Sequence, residues 1–412
     1  MAVLEMMGRV FVTTFTSPLF LLIYLFLFMI VAWQYRRMDK LSGRILDNSR
    51  KSYWKAALLS SFLGLLGGGL GSILLVLLGI NLKNIGISQL WLLAILLMFI
   101  NPRFLCFAYA GGILSLFSLL TGYPEINVPH LMGLIAVLHM VESTLILLDG
   151  KYQPSPIYIK KGGTVQGGFN LQKFWPIPLV ALIGVGMIEP GSGIDMPAWW
   201  PLLKDYPAVS SDQTYALLPV LAILGYGEIT TTTTPERRIR HSAGKLFAFS
   251  LVLLLLALGA SRWEALGLAA ALFGPLGHEL VIWLGQQEER RKQPLYLQSG
   301  SGVMVLDVIP GKVADRAGIK SRDIILAVNG QELRSLYGLE AEWERSQGRV
   351  HLEVLREGKR MLCQLEQKSG RELGIIPAPD SYNRRYLMLQ EDNIFGLLQK
   401  IWGKLKRLII KG

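Results

Sequence analysis

The chain has 412 residues, 51% of them hydrophobic and only 17% charged, with a mean hydropathy of +0.38. Soluble domains carry roughly 25% charged residues, and this chain has too few polar groups to cover two or three such domains, so a wholly soluble protein is excluded. The net charge of +12 is spread between apolar runs rather than over one soluble face, which argues against a nucleic-acid module; the two cysteines, Cys106 and Cys363, are too few for a disulfide framework and read as free thiols in a reducing compartment.

Nine apolar runs are predicted to cross a membrane, at about 17–34, 56–80, 88–100, 104–120, 130–148, 174–188, 215–227, 246–258 and 265–284. Those at 88, 174, 215 and 246 are short for a crossing of about 20 residues, so eight is the alternative count. The first run is longer than a signal-peptide core and its basic cluster, Arg36, Arg37 and Lys40, follows it, so it is expected to remain as an anchor. Three loops are basic and expected in the cytoplasm: Arg36 to Lys55, the 150–173 loop with Lys151, Lys160, Lys161 and Lys173, and the 237–245 loop with Arg237, Arg238, Arg240 and Lys245. The 189–213 loop carries Glu189, Asp195, Asp205 and Asp212 against Lys204, with Trp199 and Trp200 suited to an interfacial belt, and is expected outside. This alternation leaves everything after Glu288 in the cytoplasm.

His139 and Glu142 share one face of the fifth run at i and i+3. An ionisable residue inside a membrane is costly and is therefore a candidate for function, here proton relay or ion coupling; the alternative is a neutral Glu142 bonded between helices beside a contact surface of Gly67, Gly68, Gly69 and Gly71. Two fragments, His278-Glu279 and Leu148-Asp149-Gly150, resemble parts of the site-2-type intramembrane metalloproteases. A zincin helix needs a second His four residues after the first, where this chain has Ile282, and Leu-Asp-Gly precedes the His instead of following it. A zinc peptidase is not expected, and the sequence assigns no metal ligands, no cofactor and no catalytic residue.

After Pro294 the pattern becomes strand-like: Val303, Val305 and Val308 alternate, Pro310-Gly311 makes a turn, and Asp323-Ile324-Ile325 leads to Val328-Asn329-Gly330. This segment, with Ala314 and Ala317-Gly318-Ile319 between, resembles a PDZ domain of the bacterial membrane-protease and adaptor type. The resemblance implies a small β-barrel or sandwich with two helices that captures an extended peptide by strand addition. It puts the receiving edge at Val303, Met304, Val305 and Leu306, a carboxylate loop at Ser299, Gly300, Ser301 and Gly302, and a far wall at Tyr337, Ala341 and Glu344. The alternative is a groove filled by the protein's own tail. The final run, 394–410, spaces its apolar residues helically with Lys400, Trp402, Lys404, Lys406 and Arg407 among them, as in a basic amphipathic helix on an anionic leaflet. The expected organisation is a membrane domain at 1–285, a PDZ domain at 294–370 and a linker with the basic helix at 371–412.

Further fragments, Asn101-Pro102-Arg103 to Ala110-Gly111-Gly112, His139-Met140-Val141-Glu142-Ser143, Gly167-Gly168-Phe169-Asn170 to Trp175-Pro176, and Gly274-Pro275-Leu276-Gly277-His278-Glu279, resemble the MinJ-like cell-division proteins of Gram-positive bacteria. That resemblance implies a non-enzymatic adaptor in the cell membrane, enriched at septum and poles, that bridges DivIVA-like proteins and the MinC/MinD-like division inhibitors. Two other classes compete with it: a degenerate relative of the intramembrane metalloproteases, and a transporter dependent on Glu142.

Overall fold

Seven of the nine predicted crossings are helices; the other two are not. The computed structural model describes residues 2–46, 53–161, 163–185, 196–204, 214–297, 300–367, 372–380 and 385–388. The chain divides into one unit of Met1–Gly43, Asn48–Ser155 and Phe169–Gln293 and a second of Arg44–Asp47, Pro156–Gly168 and Pro294–Gly412.

The first unit contains α1 (Ala2–Thr16), α2 (Pro18–Leu46), α3 (Tyr53–Leu78), α4 (Ile87–Ile100), α5 (Phe107–Thr121), α6 (Val128–Asp149), α7 (Pro235–Ala260) and α8 (Ala265–Arg291). Helix α1 has no counterpart among the predicted crossings. Five helices among the described residues are long and apolar enough to cross a membrane: Pro18–Gly43, Tyr53–Leu78, Val128–Asp149, Pro235–Ala260 and Ala265–Arg291. At 14 and 15 residues, α4 and α5 reach only about 21–23 Å, less than the ~30 Å of a hydrocarbon core.

Beyond α6 the chain makes a short hairpin, β1 (Ser155–Lys161) and β2 (Thr164–Asn170), most of which belongs to the second unit. The runs expected to cross at 174–188 and 215–227 are instead strands β3 (Lys173–Val185) and β4 (Thr214–Tyr226), paired antiparallel from Lys173 opposite Tyr226 to Val185 opposite Thr214. A short apolar run has no period that separates strand from helix, but Pro176, Pro178 and Pro219 each deny an interior helical hydrogen bond. In the hairpin they cost nothing on that account. The Pro176 and Pro178 carbonyls point at the Cα positions of Gly64 and Gly68 on α3, so these residues face away from β4, where no ladder N–H is required. The rest of that edge is capped by side chains and loops: Val180 N–H donates to Ser72 Oγ at 2.8 Å, Gly184 N–H to Asn81 Oδ1 at 2.8 Å, and the Leu182 carbonyl accepts from Leu82 N–H at 2.8 Å. An apolar surrounding makes such an edge untenable without partners, and α3 and its following loop supply them.

The basic segments collect at one end of this unit. Arg36 lies over the Tyr53 ring at 6.0 Å, Lys173 meets Asp149 at the end of α6, Gly150 packs on Ile239, and Lys245 pairs with Glu288 at 2.8 Å. There Arg238 Nε donates to Glu228 Oε2 at 2.6 Å, just before β5 (Ile229–Thr230). The opposite end holds Asn81, whose N–H donates to His130 Nδ1 at 3.0 Å, and Trp200, whose Nε1 donates to the Val76 carbonyl at 2.8 Å. Glu189, Asp195, Asp205 and Asp212 lie outside the described residues.

The second unit continues with β6 (Val303–Val308), α9 (Val313–Arg316), β7 (Ile324–Val328), β8 (Gln331–Glu332), α10 (Leu336–Arg345), β9 (Gly348–Arg356), β10 (Lys359–Gln367), β11 (Ile375–Pro377) and β12 (Leu387–Met388). Its sheet runs β10-β9-β7-β6-β11, with β8 paired to β7 through Asn329-Gly330, both at positive φ as a type I′ turn requires. Alternate residues Val303, Val305, Ile325, Val350, Leu352 and Val354 meet Leu339 and Trp343 of α10 in the core. Hairpin β1–β2 docks on this unit: Gly167 N–H donates to the Tyr296 carbonyl at 2.9 Å, and β12 pairs parallel to β1. The loop expected to be merely basic at 150–173 is therefore part of a folded module, and the predicted linker after 370 supplies a strand.

Asp323, 1% exposed, ties the module together. Its Oδ1 accepts from Arg356 Nε at 2.8 Å, and its Oδ2 accepts from Arg356 Nη2 at 2.7 Å and Lys320 N–H at 2.8 Å. The carboxylate's hydrogen bonds push the Arg356 guanidinium further up. Asp323→Ala leaves the partly exposed Arg356 fork without its carboxylate and is expected to destabilise this unit by roughly 2 kcal/mol. Urea-dependent proteolysis of residues 300–367 in the full-length protein measures it; an unchanged midpoint would show the pair to be dispensable.

Candidate functional site

Strand addition requires a strand with an unpaired edge. The predicted one, β6, has none. On one side Val303 and Met304 pair with Ile325 and Ile324 of β7; on the other Val308, Asp307 and Val305 pair with Ile375, Ile376 and Pro377 of β11. Ile309 N–H donates to the Gly374 carbonyl at 2.8 Å and Ala378 N–H to the Met304 carbonyl at 2.7 Å, which closes the ladder at both ends. Val303, Val305 and Leu306 are buried, and Met304 is half-buried. The predicted carboxylate loop leads into this strand. Ser299 lies outside the described residues, Gly300 and Ser301 are exposed, and Gly302 takes φ +102° where a Cβ would strike the Ile325 carbonyl, so that glycine serves the sheet.

Among the described residues the outermost strand is β11. Gly374 and Ala378 both turn their backbone groups towards β6, so Ile375 between them turns its N–H and carbonyl to the outer side. Leu373 and Ile375 pack into the same core cluster as Leu336, Leu339 and Trp343, so this strand and α10 share one core. That helix buries Leu339 and Trp343 and exposes Tyr337 (81%) and Glu344, with half-buried Ala341 between them at i+4. Ser335 caps it by accepting from Gly338 N–H at 3.1 Å. The Pro377 carbonyl accepts from Tyr158 OH at 2.9 Å, so the hairpin β1–β2 holds the far end of the edge strand. A short apolar run, Leu373 to Ile376 behind a polar stretch, was the one sequence signal for it. Lys400, Trp402, Lys404, Lys406 and Arg407 lie outside the described residues.

In the first unit the structure gathers the intramembrane polar residues from α5, α6 and α8. Cys106, which caps α5, has its Sγ 3.2 Å from His139 Nε2 and 3.7 Å from His278 Nε2. The two imidazole rings lie 5.3 Å apart, with Phe249 against both at 5.4 and 5.6 Å. Glu279 accepts from Tyr109 OH at 2.6 Å and faces Arg103 at 3.6 Å. The sequence reading paired His139 with Glu142 and His278 with Glu279, and Cys106 was missed because nothing in its spacing links it to either. Asp149 is elsewhere and fully engaged: it accepts from Ser60 Oγ at 2.7 Å and Trp175 Nε1 at 2.8 Å, with Lys173 Nζ at 3.4 Å. Ten residues of helix, about 15 Å, separate it from His139.

The profile of the PDZ domain family matches residues 304–356. The second unit carries a PDZ domain. Over 230 residues the chain is 24% identical to the cell division topological determinant MinJ of Bacillus subtilis (strain 168), covering 55% of this chain and 55% of that protein. The chain is thus MinJ-like, and it spans about half the length of that relative. A stretch of 65 residues is 40% identical to a probable periplasmic serine endoprotease DegP-like of Chlamydia pneumoniae, 15% of this chain and 13% of that one. Helices long enough to cross a membrane and a PDZ domain thus occur together in one chain.

Proposed function

We propose that this chain is a non-enzymatic membrane scaffold that recruits partners through its PDZ domain in division-site selection or polar organisation. The single observation that carries the mechanism is the outward-facing Ile375 on β11, the last strand of the PDZ sheet among the described residues, which shares its core with α10. An extended peptide would add its backbone to Ile375 and lay alternate side chains against α10. Membrane attachment confines the domain to a surface and raises its effective concentration for other membrane-bound proteins. Similarity to a cell division topological determinant supports the setting, and DivIVA-like and MinC/MinD-like proteins are the partners to be tested.

The clustering of Arg36, Lys173, Arg238 and Lys245 at one end of the first unit supports taking that end as the cytoplasmic one. Hairpin β3–β4 leaves that end and returns to it, so replacing two crossings by a hairpin keeps the later helices on their predicted sides. The PDZ domain, after α8, then lies in the cytoplasm.

The test is in-cell photo-crosslinking from Tyr337 with partner identification and septal localisation in one strain. Ile375→Pro removes the outward donor and is expected to cut partner crosslinks at least tenfold with membrane insertion unchanged. Undiminished capture by that variant would refute the β11 edge. Val305→Pro is not a useful substitute, because Val305 N–H donates to the Asp323 carbonyl at 2.8 Å inside the sheet.

A further inference from the structure

Cys106, His139 and His278 come from a helix cap, the middle of α6 and the second half of α8, yet one ligand-type atom from each lies within 4.8 Å of the other two. The hydrogen bonding among them is incomplete. His139 Nδ1 sits 2.8 Å from the Ile135 carbonyl, an acceptor only, so Nδ1 carries the proton and Nε2 presents a lone pair. His278 Nδ1 is buried with no partner among the described residues. The thiol can donate to His139 Nε2 at 3.2 Å and its sulfur can accept only weakly from His278 at 3.7 Å, whereas a cation takes a lone pair from all three. Tetrahedral zinc with Zn–S near 2.3 Å and Zn–N near 2.0–2.1 Å sets sulfur and nitrogen about 3.5 Å apart, between the two observed separations.

We propose that Cys106, His139 and His278 form a binding site for one divalent transition-metal ion of the zinc class, which ties α5, α6 and α8 together. The ion replaces the thiol proton, which is released to solvent, and accepts lone pairs from the thiolate and from both Nε2 atoms. A thiolate with two imidazoles selects borderline-soft ions over magnesium or calcium. The bond from His139 Nδ1 to the Ile135 carbonyl is the outer-shell contact that fixes a ligating imidazole's tautomer and ring orientation. The fourth position falls to water or to Glu142, one turn along α6 from His139. Glu279 is held by Tyr109 and Arg103, and Asp149 by Ser60, Trp175 and Lys173, which leaves Glu142 as the carboxylate nearest the ion. The inference stands apart from the PDZ reading, and either can fail alone.

Full-length protein purified in detergent, without chelator, is expected to contain about one equivalent of zinc by elemental analysis, and the Cys363→Ser control the same. Cys106→Ala with His278→Ala is expected to retain less than a tenth of it. Cobalt substitution keeps the test informative if that double variant does not fold: wild-type protein should show a thiolate-to-cobalt charge-transfer band, and Cys106→Asp should lose that band while keeping the ligand-field bands. Wild-type protein that elutes as a folded species yet binds neither zinc, copper nor cobalt would overturn the proposal, as would full metal retention in the double variant. Copper in place of zinc at the same stoichiometry, lost with the same residues, would support the site and identify the ion.

Discussion

Asp149→Ala is expected to destabilise the membrane unit by roughly 3–5 kcal/mol, because it removes the common acceptor of a buried network and strands a buried cation. Lys173 is 3% exposed and Trp175 and Asp149 are fully buried. Lys173 would keep only the Tyr152 carbonyl at 2.6 Å and the faces of Tyr35 and Tyr152 at 6.0 and 5.6 Å, none of which bears a formal negative charge. Trp175 Nε1 would lose its acceptor, and the chain from Tyr35 OH through Ser60 Oγ at 2.7 Å would end on nothing. Thermal unfolding in detergent should fall by on the order of 10 °C. Asp149→Asn combined with Lys173→Met, which removes both charges and keeps an acceptor for Trp175, should recover most of that loss. Equal destabilisation in the double variant would mean that shape rather than charge holds this corner.

Gly68→Leu and Gly69→Leu are expected to differ sharply, although the residues are neighbours on α3. A Cβ on Gly68 would collide with the Pro178 carbonyl, a backbone obstacle that cannot rotate aside, and Gly64 meets the Pro176 carbonyl in the same way. Nothing lies within 4 Å of the position a Cβ would take on Gly69. Pushing β3 off α3 would break the contact with Ser72 that caps Val180, so the cost should exceed the 1–3 kcal/mol of ordinary overpacking. Folded yield of Gly68→Leu by fluorescence-detected size exclusion is expected below a tenth of wild type, with Gly69→Leu near wild type. Comparable yields would show that the helix–strand contact yields to a side chain.

These glycines also show how much of the fold was legible. Their clustering announced a close contact, and Gly67 and Gly71 do meet Leu145 and Val141 of α6 as expected; that Gly64 and Gly68 meet a strand could not be read from α3 alone. Hydropathy missed α1 and could not assign the backbone state of 174–188 and 215–227, where Pro176, Pro178 and Pro219 were the only dissenting signal. In the PDZ domain the local pattern from Val303 to Glu366 was readable because its strands alternate and its turns are marked. The strand that closes β6 was not, because β11 is three residues long and is defined by its partner β6, over 60 residues earlier. For the Cys106, His139 and His278 cluster, the sequence showed two of the residues and not their meeting, which depends on how α5, α6 and α8 pack.

The docking of hairpin β1–β2 on the second unit has a consequence for biosynthesis. Gly167 leaves the ribosome about 130 residues before Tyr296, whose carbonyl it bonds, and Tyr158 more than 200 before Pro377. At 5–20 residues per second the hairpin waits roughly 6–26 s for the first of these partners, while hairpin β3–β4 and helices α7 and α8 are made in between. The second unit therefore cannot finish assembling until α7 and α8 have been translated.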